Sequence, residues 1–265
     1  KMASAMPTDG AISTDPANFF DNATGIYMVG DQYYQWRNSG AFDRYMDPGD
    51  SANPTNYNSE GRAWERPCNI QVFEGGKLKF TEDVGVRIAG NWTTAFPQKS
   101  LTFYARRDYG SNKMQYDFFE GRATDIDGAR IKEYKKVTLR NGGSGYDEIR
   151  FRDDLNAELA SGLDIATQAK NYCVAFINGE FWGMYALQER LNEDYVEAHY
   201  HVDADNVTTI KNNAVDGDAE LLDAFFELYK WLKHAYMSDP ENYARACAEI
   251  DMQSFIDFCA VQSYI

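Results

Sequence analysis

A β-hairpin is the feature that most constrains how this chain can fold. Tyr172–Ile177 and Phe181–Leu187 are rich in β-branched and aromatic residues. Between them lies Asn178-Gly179, the dipeptide that favours a type I′ turn. The polar triplet Gln188-Glu189-Arg190 follows the second run. The sequence therefore predicts two antiparallel strands, with a change of structure after residue 187.

The rest of the chain divides into a region of predicted strands and a later region of predicted helices. Alternating or β-branched runs predict further strands at Gly25–Val29, Cys68–Phe73, Val84–Ile88, Lys99–Tyr104 and Val137–Arg140. One helix is expected among them, from near Glu148 to Ser161-Gly162. After Asn192 helical periodicity predicts Glu193–His201, Ala219–Tyr236, Glu241–Cys247 and a last helix capped by Asp251.

This order predicts an α+β fold: an antiparallel β-rich lobe with one inserted helix at residues 1–190, and a helical lobe at residues 191–265. The polar stretch Gly40–Arg62 is expected to be a surface loop. The helix over Ala219–Tyr236 is strongly amphipathic, with its apolar residues on one face. That face carries Leu222, Phe225, Phe226, Tyr229 and Leu232.

Composition excludes several classes of function. The net charge is −15, from 41 acidic and 26 basic residues, so nucleic acid is not an expected partner, although a nucleotide needs only a local basic pocket. No apolar run is long enough to span a membrane, and no membrane partner is expected. The four cysteines lack a metal-binding spacing and are expected to be buried free thiols, with a disulfide left open. His199 and His201 are expected to be solvated, and no metal site is predicted.

Lys99 is the candidate site residue that the strand pattern itself indicates. Alternation places Lys99 on the same face as Leu101 and Phe103, which marks that face as the core side. A buried ammonium group needs an anionic partner, because an isolated buried charge is costly. Two interpretations stay open here: Lys99 binds an anion such as phosphate, or it ends a strand and reaches solvent along its aliphatic stem.

Three segments, taken in order, carry a resemblance to a known family. They are VGVRIAGNWTTAFPQKSLTFYAR (Val84–Arg106), LRNGGSGYDEIRFRDDLNAELA (Leu139–Ala160) and the hairpin with its triplet (Tyr172–Arg190). Together they resemble the CotH family, atypical protein kinases first known from bacterial spore coats. The resemblance implies an ATP- and magnesium-dependent transfer of phosphate to Ser or Thr of a protein substrate.

The resemblance also implies roles for particular residues. Lys99 matches the family's Lys-Ser motif and would bind phosphate while paired with a helix carboxylate, Asp153 or Glu158. Arg87 would assist at the phosphates. The segment Gln188, Glu189 and Arg190 would be the hinge that meets the adenine edge, with Tyr185 and Trp182 as the wall of the base pocket.

The family's metal-binding and catalytic acids are expected after the last predicted helix, so no magnesium ligand is predicted in this chain. The 265-residue chain is accordingly expected to be inactive alone, and a C-terminal portion is a possible partner. A secreted protein at the bacterial cell or spore surface is expected. The alternative is a different class: a non-catalytic extracellular binding or scaffold module of a fibre-degrading assembly, which the acidic surface and 15% aromatic content would also fit.

Overall fold

The computed structural model describes residues 8–40, 52–211, 214–217 and 219–264. The chain forms two compact units. The first comprises residues up to Ala123, Arg130–Phe151 and Ala169–Arg190. The second comprises Thr124–Ala129, Arg152–Gln168 and Leu191–Ile265.

The first unit is built on a seven-stranded sheet that closes into a barrel in the order β1-β2-β3-β4-β7-β9-β8. Every neighbouring pair is antiparallel except β1 and β8, which run parallel and close the sheet. The bounds are β1 (Thr8–Ser13), β2 (Arg66–Glu74), β3 (Lys77–Ala89), β4 (Ser100–Tyr104), β7 (Lys136–Arg140), β8 (Lys170–Ile177) and β9 (Glu180–Gln188). A separate two-stranded pair is formed by β5 (Met114–Gln115) and β6 (Glu133–Tyr134).

Strand register determines which side chains share a face of this sheet. Leu101 pairs with Leu139, which in turn pairs with Leu187, and these apolar side chains are buried on one face. Residues one position away point to the opposite face, because side chains alternate along a strand. The opposite face therefore carries a row of four polar residues that are partners in register: Arg87, Thr102, Thr138 and Gln188.

The predicted hairpin is confirmed as β8 and β9. Asn178 has φ 49° and Gly179 has φ 86°, the left-handed conformation that a type I′ turn requires at both central positions. The turn is also tied to β1, since Asn178 N donates to Ile12 O and Asn178 Oδ1 accepts from Thr14 N. The hairpin signal thus marks the point where the barrel closes.

Near the N-terminus one predicted strand is wrong, and one strand of the structure was not predicted. The predicted strand at Gly25–Val29 consists of turns, because the Asp21 side chain accepts from Ala23 N and Thr24 N and folds the chain back onto the preceding helix. The strand at Thr8–Ser13, by contrast, was not predicted. It has a single large apolar residue, Ile12, and its pairing with two distant strands leaves no local periodicity to detect.

The described residues of the first unit form two α-helices, α1 (Pro16–Phe20) and α2 (Asp31–Asn38), and neither was predicted. Helices of the second unit are α3 (Arg152–Leu159), α4 (Glu193–Tyr200), α5 (Ala219–His234), α6 (Pro240–Glu249) and α7 (Met252–Tyr264). The short strands β10 (Thr209–Lys211) and β11 (Ala214–Asp216) pair in the same unit. The α+β class is confirmed. The helix expected from Glu148 begins only at Arg152.

The predicted amphipathic helix is confirmed as α5, and its apolar face is partly exposed. Phe225, Phe226 and Tyr229 are each about half exposed, and no described residue of α5 is buried. The cysteine prediction is partly wrong: Cys68 and Cys173 are buried free thiols, whereas Cys247 and Cys259 are exposed free thiols. Over the described ranges, no helix is long and apolar enough to cross a membrane.

Candidate functional site

Lys99 lies immediately before β4, on the apolar face of the sheet, and is only 4% exposed. Its Nζ donates to Thr94 O at 2.5 Å and to Phe96 O at 3.1 Å. The ammonium group also lies 4.0 Å from the centre of the Tyr57 ring, a cation–π contact. Lys99 therefore does not reach solvent, and within the described part of its own unit it has no carboxylate partner at ion-pair distance.

Burial without a counter-ion shifts the ionisation of this lysine. Desolvation lowers the pKa of Lys99 from 10.5 to about 8. The carbonyl dipoles and the Tyr57 ring stabilise the cation, but they carry no full negative charge. Lys99 is thus a buried cation for which the described residues of its own unit supply no neutralising anion.

Of the predicted wall of the base pocket, Tyr185 contacts Lys99 directly, whereas Trp182 contacts Tyr27, whose ring centre lies 5.7 Å from Lys99 Nζ. The Tyr185 hydroxyl donates to Lys99 O at 3.0 Å, and burial raises the pKa of Tyr185. Trp182 Nε1 donates to the Tyr27 hydroxyl at 2.9 Å, and the Trp182 and Tyr27 rings pack edge to face. Tyr185 is fully enclosed, so its contact with a base would require neighbouring side chains to move.

Arg87 points to the opposite face of the sheet from Lys99. Its guanidinium group lies 4.0 Å from the centre of the Tyr104 ring, and Arg87 Nε lies 3.7 Å from Glu65 Oε2. That distance is too long for a hydrogen bond, and the buried Nε has no hydrogen-bond partner. The structure therefore brings Lys99 and Tyr185 together, and separates both from Arg87.

Glu65 organises a cluster of charged residues around Arg87 that the sequence did not indicate. Its carboxylate is fully buried and accepts from Arg62 Nη1 at 2.6 Å and from Arg106 Nε at 2.9 Å. Arg62 also pairs with Asp108. Three guanidinium groups thus face two carboxylates, which leaves a local positive surplus on a chain whose net charge is −15. Residues 62, 65, 87 and 106 have no common spacing, so only the folded sheet reveals the cluster.

The predicted hinge lies at the end of β9, and its main chain is already paired. Glu189 N donates to Ala169 O, and Glu189 Oε2 accepts from Ala169 N at 2.9 Å. Gln188 is 6% exposed, and its Oε1 is a buried acceptor without a hydrogen-bond partner. Arg190 follows the strand and is exposed. The unsatisfied group of this segment is therefore the Gln188 side chain.

The polar row has Arg87 at one end and Gln188 at the other. Between them, the Thr102 and Thr138 hydroxyls share a hydrogen bond of 2.9 Å. One end of the row offers a donor with a positive charge, and the other end offers a neutral acceptor. Three strand spacings separate the two ends, which is about 14 Å.

The glycine-rich segment after β7 is held by Asn141, which is almost completely buried. Asn141 Oδ1 accepts from Ser100 Oγ at 2.9 Å and from Gly143 N at 3.0 Å, while Nδ2 donates to Gln98 O at 2.7 Å. Gly142 and Gly143 both have positive φ, so this bend needs residues without a Cβ. Asn141 thereby joins the glycine turn to the segment that carries Lys99.

Asp153, the predicted catalytic partner of Lys99, lies in the first turn of α3, and Glu158 lies further along the same helix. Both belong to the second unit. The pairing of Lys99 with either carboxylate remains a prediction.

Comparison with known proteins decides the family. The model of the family described as CotH kinase protein matches residues 86–265, about two thirds of the chain. This chain belongs to the CotH kinase family. The matched range contains Arg87, Lys99, Asp153, Tyr185 and the segment Gln188–Arg190. No curated protein matches the chain.

Membership in the CotH kinase family confirms the resemblance that the three segments carry. Glu65, which the Arg87 cluster surrounds, lies ahead of the matched residues. The family match therefore supports a kinase-related domain, and the contacts around Glu65 are a property of this chain that the match does not describe.

Proposed function

We propose that this CotH-family chain contributes the nucleotide-binding unit of an ATP-dependent protein kinase that phosphorylates Ser or Thr of a protein substrate. The observation that carries the proposal is the polar row from Arg87 to Gln188 in a chain of this family. Its two ends have unsatisfied buried groups, and these complement the two ends of an adenine nucleotide. A surface location, as in a spore coat, accompanies the proposal.

Arg87 and its neighbours fit the phosphate end of the nucleotide. The positive surplus around Glu65 would attract an anion, and the planar guanidinium group of arginine suits phosphate oxygens. Glu65 would hold Arg62 and Arg106 in place while Arg87, at 3.7 Å, is the arginine least engaged with the carboxylate. ATP would supply the transferable phosphoryl group, and these residues would bind and orient it.

Gln188 fits the base end. Adenine has an exocyclic amine that donates hydrogen bonds, and Gln188 Oε1 is an acceptor without a donor. An unsatisfied buried acceptor costs about 1–3 kcal/mol, and a base amine would recover part of that cost. The side chains that cover this oxygen would have to shift for the base to reach it.

Lys99 is not part of the polar row. It lies on the opposite face of the sheet, near Tyr57 and the carbonyls of Thr94 and Phe96. The family resemblance assigns phosphate to Lys99, whereas the row assigns it to Arg87. The two assignments predict different mutant phenotypes.

Calorimetric titration with ATP and magnesium separates these assignments. We expect Arg87→Gln to weaken ATP binding at least about tenfold, the cost of one charge-assisted hydrogen bond. Lys79→Met, an exposed lysine of β3, is the matched control and should bind as the wild type does. A loss of binding in Lys99→Met with no change in Arg87→Gln would place the phosphates on the other face and contradict the row.

Gln188→Met tests the base end independently of charge. Replacing an unsatisfied buried acceptor by an apolar side chain of similar size should raise the melting temperature while ATP binding falls. A purely structural role for Gln188 would lower the melting temperature instead. Unchanged ATP affinity in Gln188→Met would remove this residue from the site.

A further inference from the structure

Asp125, Asp127 and His201 form a compact cluster of metal-binding side-chain types in the second unit. Within the described residues, this is the group whose ligand atoms all lie within 4.8 Å of one another. Residues 127 and 201 are 74 positions apart, so no spacing motif could reveal the cluster from the sequence.

Main-chain hydrogen bonds, rather than the side chains themselves, bring the three residues together. Ile126 N donates to His199 O at 2.8 Å and joins the Asp125–Asp127 loop to the end of α4. His201 caps that helix with φ 57°, and its N donates to Glu197 O. The main chain of the loop and of the helix end is therefore positioned before any ion binds.

The Asp125 carboxylate is divided between the loop and the cluster. Asp125 Oδ1 accepts from Asp127 N at 3.0 Å and from Ala129 N at 2.8 Å. Asp125 Oδ2 is the oxygen that faces His201 Nε2. One oxygen thus fixes the carboxylate while the other remains free to act as a ligand.

The distances between His201 Nε2 and the two carboxylate oxygens fit ligands arranged around a metal ion better than a direct ion pair. His201 Nε2 lies 3.5 Å from Asp125 Oδ2 and 3.3 Å from Asp127 Oδ2. A charge-assisted hydrogen bond between imidazolium and carboxylate would be shorter, about 2.7–2.9 Å. Tetrahedral coordination with metal–ligand distances of about 2.1 Å separates the ligand atoms by about 3.4 Å.

We propose that Asp125, Asp127 and His201 bind a divalent zinc ion. An imidazole nitrogen among the donors favours zinc over magnesium and calcium, which prefer oxygen ligands alone. Three protein ligands leave the fourth position for water, and the Asp127 and His201 side chains are 80% and 53% exposed. The ion would fasten the Asp125–Asp127 loop to α4.

Zinc titration of the chelator-treated chain tests this proposal. Isothermal calorimetry should show one site that His201→Asn and Asp127→Asn each weaken at least about tenfold. His234→Asn, an exposed histidine at the end of α5 in the same unit, should bind zinc as the wild type does. Because the Asp127 side chain is highly exposed, its substitution should leave the fold intact. A melting curve recorded without metal checks this.

Cobalt provides a spectroscopic readout of the same site. Co²⁺ bound in place of zinc should give the intense visible absorption of a tetrahedral ion, and excess zinc should remove it. Absence of zinc uptake by the wild type would overturn the proposal. Equal zinc affinity in the wild type, His201→Asn and Asp127→Asn would show that the three residues form only an ion-pair cluster.

Discussion

Lys99 shows what a single buried charge does at the residue scale. The pKa of Lys99 is lowered to about 8 by burial, while an unfolded lysine has its usual value of 10.5. Between these two pH values the unfolded chain binds more protons than the folded chain. The free energy of unfolding should therefore rise with pH across this window, and the penalty for burying the charge is fully present below pH 8.

Urea unfolding of the wild type and Lys99→Met measures this effect. Relative to the variant, the wild type should gain about 2 kcal/mol between pH 7 and pH 9.5. Lys79→Met should follow the wild type, because its lysine is exposed in the folded chain. A constant difference between the wild type and Lys99→Met at both pH values would mean that Lys99 keeps an ordinary pKa.

The strand pattern predicted that Lys99 lies on the buried face, and it does. Neither open interpretation anticipated its partners, since main-chain carbonyls and the Tyr57 ring come from segments with no strand periodicity. The pairing of Arg87 with Glu65 was likewise not predictable from the strand pattern. Alternation predicts which face a residue occupies, but a partner from another strand or loop becomes visible only when the register is known.

Turn geometry governs stability at the element scale, and the β8–β9 turn offers a test. Gly179 has φ 86° and open space where a Cβ would lie, so a substitution there meets backbone strain alone. We expect Gly179→Ala to cost about 1–2 kcal/mol of unfolding free energy. Gly162→Ala is the control, because Gly162 also has open space but does not have positive φ.

Thermal or urea unfolding of the two glycine variants checks this expectation. Equal stability of Gly179→Ala and Gly162→Ala would contradict the turn assignment.

The hairpin was predictable because all its signals are local: two β-rich runs and Asn178-Gly179. The strand β1 was not, since its pairing with β2 and β8 depends on segments far away in the sequence.

At the scale of the whole molecule, the change from a strand-rich to a helix-rich region was predictable and the packing of the helices was not. Periodicity correctly located α5, but its aromatic residues Phe225, Phe226 and Tyr229 are about half exposed. An amphipathic pattern predicts that a face can be buried, and says nothing about which surface covers it. The family, by contrast, was predictable from three segments between residues 84 and 190, and the family match over residues 86–265 confirms it.

The central claim is that the first unit of this CotH-family chain binds an adenine nucleotide along the row from Arg87 to Gln188. Photolabelling with 8-azido-ATP, followed by peptide mass spectrometry, locates the base directly. Binding along the row predicts labelled peptides from β7 or β9 beside Gln188, with labelling suppressed by excess ATP and reduced in Gln188→Met. ATP-protected labelling confined to peptides outside the first unit, or no protected labelling, would contradict it.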